Sequence, residues 1–284
     1  MFTTVSGSWE KLKIDHLYMM GNELTEISGK MTGVYLNRIA YTNPLPGSAS
    51  TVDLSYNNLE IIKLLDNNKL KMMNIENNRL VDLILKNVNI QYIYAQNNDV
   101  KNFLTLNLPE LKVLDLKNNK ITGKFEFRWM DGPVQQFLLC SRKLEQLYLD
   151  NNDINSIKIP SCFESLKELS AKHNNLKNVD EFESSNSLRN LYLDFNNMES
   201  IKQDSFNNFP KLTDLSLMNN GMKSIETNSF TGLKRLRVLY LQNNDITNLE
   251  IDTFNGIEPK AMVYFDPLMC DCPTVNLAIK LREL

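Results

Sequence analysis

Apolar and polar positions along the chain fall into one recurring order, Leu-x-x-Leu-x-Leu-x-x-Asn-x-Leu. It is clearest at Leu111–Ile121 (LKVLDLKNNKI), Leu144–Ile154 (LEQLYLDNNDI), Leu188–Met198 (LRNLYLDFNNM), Leu212–Met222 (LTDLSLMNNGM) and Leu236–Ile246 (LRVLYLQNNDI). Looser copies run through Ile14–Leu24, Ala49–Leu59, Leu70–Leu80, Ile90–Val100 and Leu166–Leu176. The ninth position is held by Asn22, Asn57, Asn78, Asn98, Asn119, Asn152, Asn174, Asn196, Asn220 and Asn244. In x-Leu-x-Leu-x the side chains alternate, so both leucines face one side of a short strand. One such strand cannot bury its apolar face alone, whereas stacked copies share a core and form a parallel sheet. Where the chain turns back, buried backbone groups need partners. Asn carries both a donor and an acceptor. At the same point of each turn it can serve its own repeat and the next, as a ladder.

The ninth-position residues recur about every 20–24 residues apart from two gaps, which is the period of a leucine-rich repeat. From Asn152 to Asn244 the intervals are 22, 22, 24 and 24, and the repeats resemble the typical animal form. Phe182, Phe206 and Phe230 each precede a ladder Asn by 14 residues, with Phe163 and Phe254 near the same phase, so a Phe stack is expected on the convex side. Between Asn57 and Asn119 the interval is only 20–21 residues, which leaves little room for a convex helix. The expected fold is an α/β solenoid: a leucine-rich-repeat horseshoe with a concave parallel sheet and short helices, 3-10 turns or loops on the convex side. Residues 1–48 read as irregular N-terminal repeats and 49–257 as the main array, with an insertion at about 122–140. Phe125, Phe127 and Trp129 alternate in that insertion. They fit convex core packing, or else a protruding binding loop.

Composition alters this picture in one respect. About 38 of the 284 residues are Asn against ten Gly, although turns ordinarily use both. The ladder accounts for part of the excess. Length alone suggests two ordinary domains, but the pattern makes it eleven or twelve copies of one unit. The net charge of −3 disfavours a binder of nucleic acid or of an anionic membrane. Two His residues, His16 and His173, leave no imidazole-rich metal site, and no cofactor is expected. There is no P-loop, Gly-x-Ser-x-Gly or His-Glu-x-x-His pattern, so the chain is not expected to be an enzyme. His173 is expected to be a contact residue on the concave edge.

Cys140 and Cys162 each lie 12 residues before a ladder Asn, in consecutive repeats. Equivalent positions in stacked repeats lie about 5 Å apart, which suits a disulfide. The alternative is two buried thiols. Asp266-Pro267-Leu268-Met269-Cys270-Asp271-Cys272 resembles the opening of the cysteine-rich C-terminal cap of extracellular leucine-rich-repeat proteins, with Asp in place of the usual Asn. Asp266 is expected in ladder phase, Cys270 and Cys272 as cap cysteines, and residues 258–284 as the start of the cap. In that family two more cysteines complete it, so the chain is expected to be incomplete or its cap divergent. No signal peptide is visible and no apolar run is long enough to span a bilayer. No Asn-x-Ser/Thr sequon occurs, which weighs against secretion. Cysteine phase and cap motif outweigh it, so an extracellular or cell-surface location is expected.

The residue between the two strand leucines sits mid-face on the concave side. In order it is Tyr18, Tyr35, Asp53, Asn74, Tyr94, Asp115, Tyr148, Ser170, Tyr192, Ser216 and Tyr240, which places six of the ten Tyr in one column. Tyr56, Tyr92 and Tyr264 are expected in flanking columns. Asp150 and Asp194 follow Tyr148 and Tyr192 by two residues, and Phe195 adds aromatic surface. Tyr offers a large area, few rotors and a polar tip. Tyr94, Tyr148, Asp150, Tyr192, Asp194, Phe195 and Tyr240 are therefore the candidate contacts for a basic or mixed protein partner. The competing explanation is that Tyr is simply a good strand residue. The repeats and the cap resemble Toll-type receptor ectodomains, adhesion and matrix proteins, and insect leucine-rich-repeat immune proteins. The last group is resembled through Leu139-Cys140-Ser141-Arg142. The resemblance implies non-catalytic protein recognition, with innate immunity as one setting. An intracellular scaffold or regulatory subunit, and an adhesion or matrix protein, stay open as alternatives, as does homo- or heterodimerisation.

Overall fold

The computed structural model describes residues 4–7, 15–23, 26–29, 49–65, 69–86, 89–106, 108–127, 141–183, 186–247 and 249–266. The chain forms two compact units, Met1–Thr122 with Phe127–Tyr148, and Gly123–Glu126 with Leu149–Leu284.

In the first unit, each repeat contributes one three-residue strand to a parallel front sheet, the sheet expected to be concave. The strands are His16–Tyr18, Thr51–Asp53, Met72–Asn74, Tyr92–Tyr94, Val113–Asp115 and Gln146–Tyr148. Their register aligns Leu17, Val52, Met73, Ile93, Leu114 and Leu147 in one buried row. Three repeats also carry a five-residue back strand. Ile61–Leu65, Asp82–Lys86 and Asn102–Leu106 pair in parallel, with Ile62, Leu83 and Phe103 in register and buried. The core lies between the two sheets. Twenty or twenty-one residues accommodate one short strand, one longer strand and two turns, and no helix.

The second unit has the same front and a different back. Glu168–Ser170, Asn190–Tyr192, Asp214–Ser216, Val238–Tyr240 and Met262–Tyr264 form its parallel front sheet. One back strand, Asp153–Ile157, has five residues, and the later ones are short, as in Ser200–Ile201 beside Ser224–Ile225. Behind them, Phe206, Phe230 and Phe254 stack at 5.8 and 6.2 Å. Phe209 packs against Phe206 at 6.2 Å and against Phe182 at 6.3 Å, and is buried as deeply as the others. The back segments of consecutive repeats touch closely at Gly232, where a Cβ would lie 2.3 Å from the Asn207 Cα.

Among the described residues there is no α-helix, and Ile251–Phe254 forms the sole helical segment, a 3-10 turn. Of the elements expected behind the front sheet, turns and a 3-10 segment are present, together with back strands. One expectation needs correction: Asp266 is two residues short of ladder phase. Tyr240 pairs with Tyr264, which puts Asp266 level with Gln242. It accepts a short bond from the Asn243 N–H instead. In the insertion, Phe125 is buried, and the half-buried Phe127 packs edge-on against Phe103 at 5.8 Å. Trp129 lies outside the described residues.

The ladder asparagines bond as a repeating device. Asn196 Nδ2 donates to the carbonyls of Leu193 and Asp194 in its own repeat and of Ala171 in the repeat before, at 3.0, 3.3 and 2.9 Å. Its Oδ1 accepts from Leu176 N–H at 2.9 Å. Asn98 does the same with Ala95, Gln96, Ile75 and Leu80. The coupling runs to the preceding repeat. The residue before each ladder Asn holds a left-handed conformation, with φ between 53° and 58° at Tyr56, Asn77, Asn97, Asn118, Asn151, His173, Phe195, Asn219 and Asn243. Asn tolerates that region better than other side chains bearing a Cβ. Six of these nine positions are Asn, which explains a further share of the asparagine excess.

Candidate functional site

The front sheet of each unit presents its mid-strand column in the order read from sequence. Tyr18 is 63% exposed, while Tyr94, Tyr148, Tyr192 and Tyr240 are half-buried. Tyr35 lies outside the described residues. Tyr264 joins the column itself as the register partner of Tyr240, and their rings stack at 5.3 Å with a 10° interplanar angle. The sequence did hold a signal for this. Phe254 follows Phe230 by 24 residues, so the last repeat keeps the period of the two before it.

Two of these rings carry a cation from the preceding repeat. Lys117 Nζ lies 4.7 Å from the Tyr148 centroid in the first unit, and Lys172 Nζ lies 4.7 Å from that of Tyr192 in the second. Both distances are within the range of a cation–π attraction. Each lysine is also ion-paired, Lys117 with Asp115 at 3.1 Å and Lys172 with Asp194 at 3.2 Å. Rings held this way lose little freedom on contact with a partner.

The candidate acids behave differently from the tyrosines. Asp194 is 1% exposed and does not present its carboxylate to solvent. Its Oδ1 accepts a short bond from the Ser216 hydroxyl and another from Met218 N–H at 3.1 Å, and its Oδ2 faces Lys172. Asp150 is half-buried and repeats the arrangement one turn earlier, accepting from the Ser170 hydroxyl and from Lys172 N–H at 2.7 Å. These acids close the end of the next strand. In the first unit the same class of N–H is closed from within its own repeat. Ser55 N–H donates to Asp53 Oδ1 at 3.0 Å, Glu76 N–H to Asn74 at 3.2 Å and Lys117 N–H to Asp115 at 3.1 Å. A side chain accepting from the amide two residues on is a turn motif of Asp and Asn. The pairing of Asp150 with Ser170 and of Asp194 with Ser216 was missed because partners 20 and 22 residues apart have no local signature.

The remaining acids shape the field. Tyr192 has its pKa raised above the ordinary phenol value, first by burial, then by the Glu168 and Asp214 carboxylates, with smaller effects from Tyr240 and Asp194. Tyr94 is raised by burial, then by Tyr92 and Asp115. Both phenols therefore stay protonated, as hydrogen-bond donors, further into alkali than a free tyrosine.

At the edge of the second unit, His173 and Phe195 stack at 4.1 Å and 11°, and Phe195 is 45% exposed. Both hold left-handed backbone, which is unfavourable for bulky side chains. His173 is thus an exposed ring in contact with Phe195. Among the described residues no cluster of His, Cys, Asp and Glu could hold a metal ion. Cys162 is disulfide-bonded, while Cys140, Cys270 and Cys272 lie outside the described residues. No helix among the described residues is long and apolar enough to cross a membrane.

Comparison with known proteins agrees with this architecture. A family model described as "Leucine rich repeat" matches residues 186–246, and a second, "Leucine Rich Repeat", matches residues 143–166. Toll-like receptor 4 of Bos taurus is 28% identical over 175 residues, which is 55% of this chain and 20% of that protein. Epiphycan of Gallus gallus is 31% identical over 134 residues, 47% of this chain and 37% of that protein. The matched regions span a fifth and somewhat over a third of these relatives. A chain in the octameric complex of Latrophilin 3 (Lec, Olf), Unc5D (Ig, Ig2, TSP1) and FLRT2 (LRR) has a TM-score of 0.55, with 18% identity, 92% of this chain and 85% of that one covered. That likeness is one of fold.

Proposed function

We propose that this leucine-rich-repeat protein is an extracellular, non-catalytic recognition module that binds a protein partner through the tyrosine columns of its front sheets, with host defence as its setting. The observation that carries the reading is the state of the rings. Tyr94, Tyr148, Tyr192 and Tyr240 are half-exposed, sit at one register position, and three of them are held by a lysine or a second ring. Rigid, amphipathic area of this kind is what interfaces concentrate at their hot spots. Leucine-rich-repeat proteins are typically interaction modules, and the matched relatives, Toll-like receptor 4 and epiphycan, support the extracellular setting. A disulfide at Cys162 is part of this reading, since stable disulfides belong to oxidising compartments. Its partner is proposed to be Cys140, one repeat earlier.

Affinity capture from extracellular fluid of the source organism, read by mass spectrometry, tests the reading. Two paired variants accompany the native protein, Tyr94→Ser with Tyr148→Ser, and Tyr192→Ser with Tyr240→Ser. At least one pair is expected to lose the captured partner with little change in melting temperature. Lower stability with undiminished capture per folded molecule would overturn the reading. Intact mass with and without reductant tests the cysteines, and a native Cys162 found as a free thiol would favour an intracellular scaffold.

A further inference from the structure

The rims where the chain enters the front strands carry charge at two recurring positions. One precedes the first leucine of the motif, as at Glu110, Lys143, Lys211 and Arg235. The other follows that leucine, as at Lys112, Arg189, Thr213 and Arg237. In the first unit these bases are occupied internally. Lys143 Nζ meets both carboxylate oxygens of Glu110 at 2.7 Å, and Lys112 Nζ lies 6.0 Å from the centroid of Tyr92. In the second unit Arg189, Lys211, Arg235 and Arg237 are all exposed, and none forms an ion pair among the described residues.

Backbone hydrogen bonds hold these four together. Thr213 N–H donates to the Arg189 carbonyl at 2.8 Å, and Arg237 N–H to the Thr213 carbonyl at 2.7 Å. Arg189, Thr213 and Arg237 therefore stand in one row at the entries of three adjacent strands. Two strand spacings, about 9–10 Å, separate the two arginine backbones. Lys211 and Arg235 lie two residues before Thr213 and Arg237, across the buried Leu212 and Leu236. Those leucines close turns onto the Phe209 and Leu233 carbonyls at 3.1 Å, which fixes the backbone beneath the patch. Positive groups this close repel one another, and an opposite charge on a partner relieves that repulsion.

The arginine fork suits a carboxylate, a phosphate or a sulfate alike. Asp214 separates these ligands. It follows Thr213 at the centre of the row, its N–H shares the Arg189 carbonyl at 3.0 Å, and it forms no ion pair among the described residues. An unbroken chain of phosphates or sulfates laid along the row would bring negative charge against Asp214. A protein segment can instead set carboxylates over the arginines and an amide or hydroxyl donor over Asp214. The tyrosine column is also within reach. Arg189 and Arg237 lie three residues before Tyr192 and Tyr240, about 10 Å along the chain, so one partner surface spans both.

We propose that the strand-entry rim of the second unit, built from Arg189, Lys211, Arg235 and Arg237, docks an acidic segment of the protein partner. The proposal rests on the recognition reading above and adds the charge of the part of the partner that lies beside Tyr192 and Tyr240.

The test uses the full chain and three end-blocked glycine-serine peptides carrying three alternate glutamates, glutamines or lysines, titrated by NMR at low ionic strength. The glutamate peptide is expected to bind roughly fivefold or more tightly than the glutamine peptide, with the advantage shrinking as salt is added. Arg189→Glu with Arg237→Glu is expected to abolish that preference and transfer it to the lysine peptide, without lowering the melting temperature. Lys177→Glu with Lys223→Glu makes the same change of net charge at exposed sites beyond the ladder Asn, and is expected to leave the preference intact. Absence of binding, equal binding of the glutamate and glutamine peptides, or equal loss in both charge-reversed variants would each overturn the rim. So would dextran sulfate binding to the four bases where the glutamate peptide does not, which would mark a polyanion site. Partner capture lost in the tyrosine variants with no glutamate preference would remove the rim and keep the recognition reading. A glutamate preference with capture undiminished in the tyrosine variants would remove that reading and keep the rim.

Discussion

The two units solve the same packing problem with different backs. Their fronts are alike: three-residue strands, an Asn ladder, and left-handed backbone before each ladder Asn. The first unit covers its core with a second parallel sheet, Ile61–Leu65, Asp82–Lys86 and Asn102–Leu106. The second covers it with the stack Phe206, Phe230 and Phe254. Repeat length separates them. A repeat of 20–21 residues leaves only enough chain for a strand on the way back, whereas 24 residues allow turns that bring a large ring into the core. The strand ends differ as well. The first unit closes them within a repeat through Asp53, Asn74 and Asp115, and the second ties consecutive repeats through Asp150 and Asp194.

The largest test of this contrast is Phe230→Ala. It removes a fully buried ring and two ring contacts, and is expected to cost about 3–5 kcal/mol in denaturant unfolding. Leu83→Ala in the back sheet of the first unit is expected to cost about 2–5 kcal/mol. A negligible loss there would mean that the back sheet is not a structural equivalent of the Phe stack. Next comes the shared ladder. Asn98→Ala and Asn196→Ala make matching bonds in the two units, and each is expected to cost about 1–3 kcal/mol through unsatisfied buried groups. Clearly unequal losses would break the claim of one common front.

The strand ends sharpen the contrast further. Asp194→Ala leaves the Ser216 hydroxyl, the Met218 amide and Lys172 without their partner, and a loss of about 1–3 kcal/mol is expected. Asp53→Asn is expected to stay within about 0.5 kcal/mol, because Asn74 already does the same work one repeat later. Equal losses would show that the inter-repeat tie is no stronger than the local turn. The smallest effect concerns strain. Tyr56 is 56% exposed at φ 56°, so Tyr56→Asn is expected to raise the unfolding free energy by up to about 1 kcal/mol. A loss on that change would show that the Tyr56 ring makes a stabilising contact.

Most of the front was legible from residue order. Leucine alternation, the ladder spacing and the tyrosine column follow from a period of two within a strand and a fixed period between repeats. The short first repeats also gave correct warning that a helix would not fit. Asp266 was misplaced because its similarity to Asn outweighed the 24-residue period that Phe254 had kept. Phe209 stood outside the fixed Phe phase and was not singled out, though it is fully buried. The strained edge residues His173 and Phe195 were read as surface, and nothing in their identity reveals a left-handed backbone.

Sequence alone specified which residues share a row, because stacking copies of one short motif leaves a single register that buries every leucine. It could not specify which acids are free. Asp150 and Asp194, each two residues after a tyrosine, read as surface acids in the chain, yet both are bonded across the repeat interface, whereas Asp214, two residues before Ser216, has no ion pair among the described residues. That difference arises only when two repeats are brought together, where a serine hydroxyl and a strand-end amide of the next repeat face the first two carboxylates.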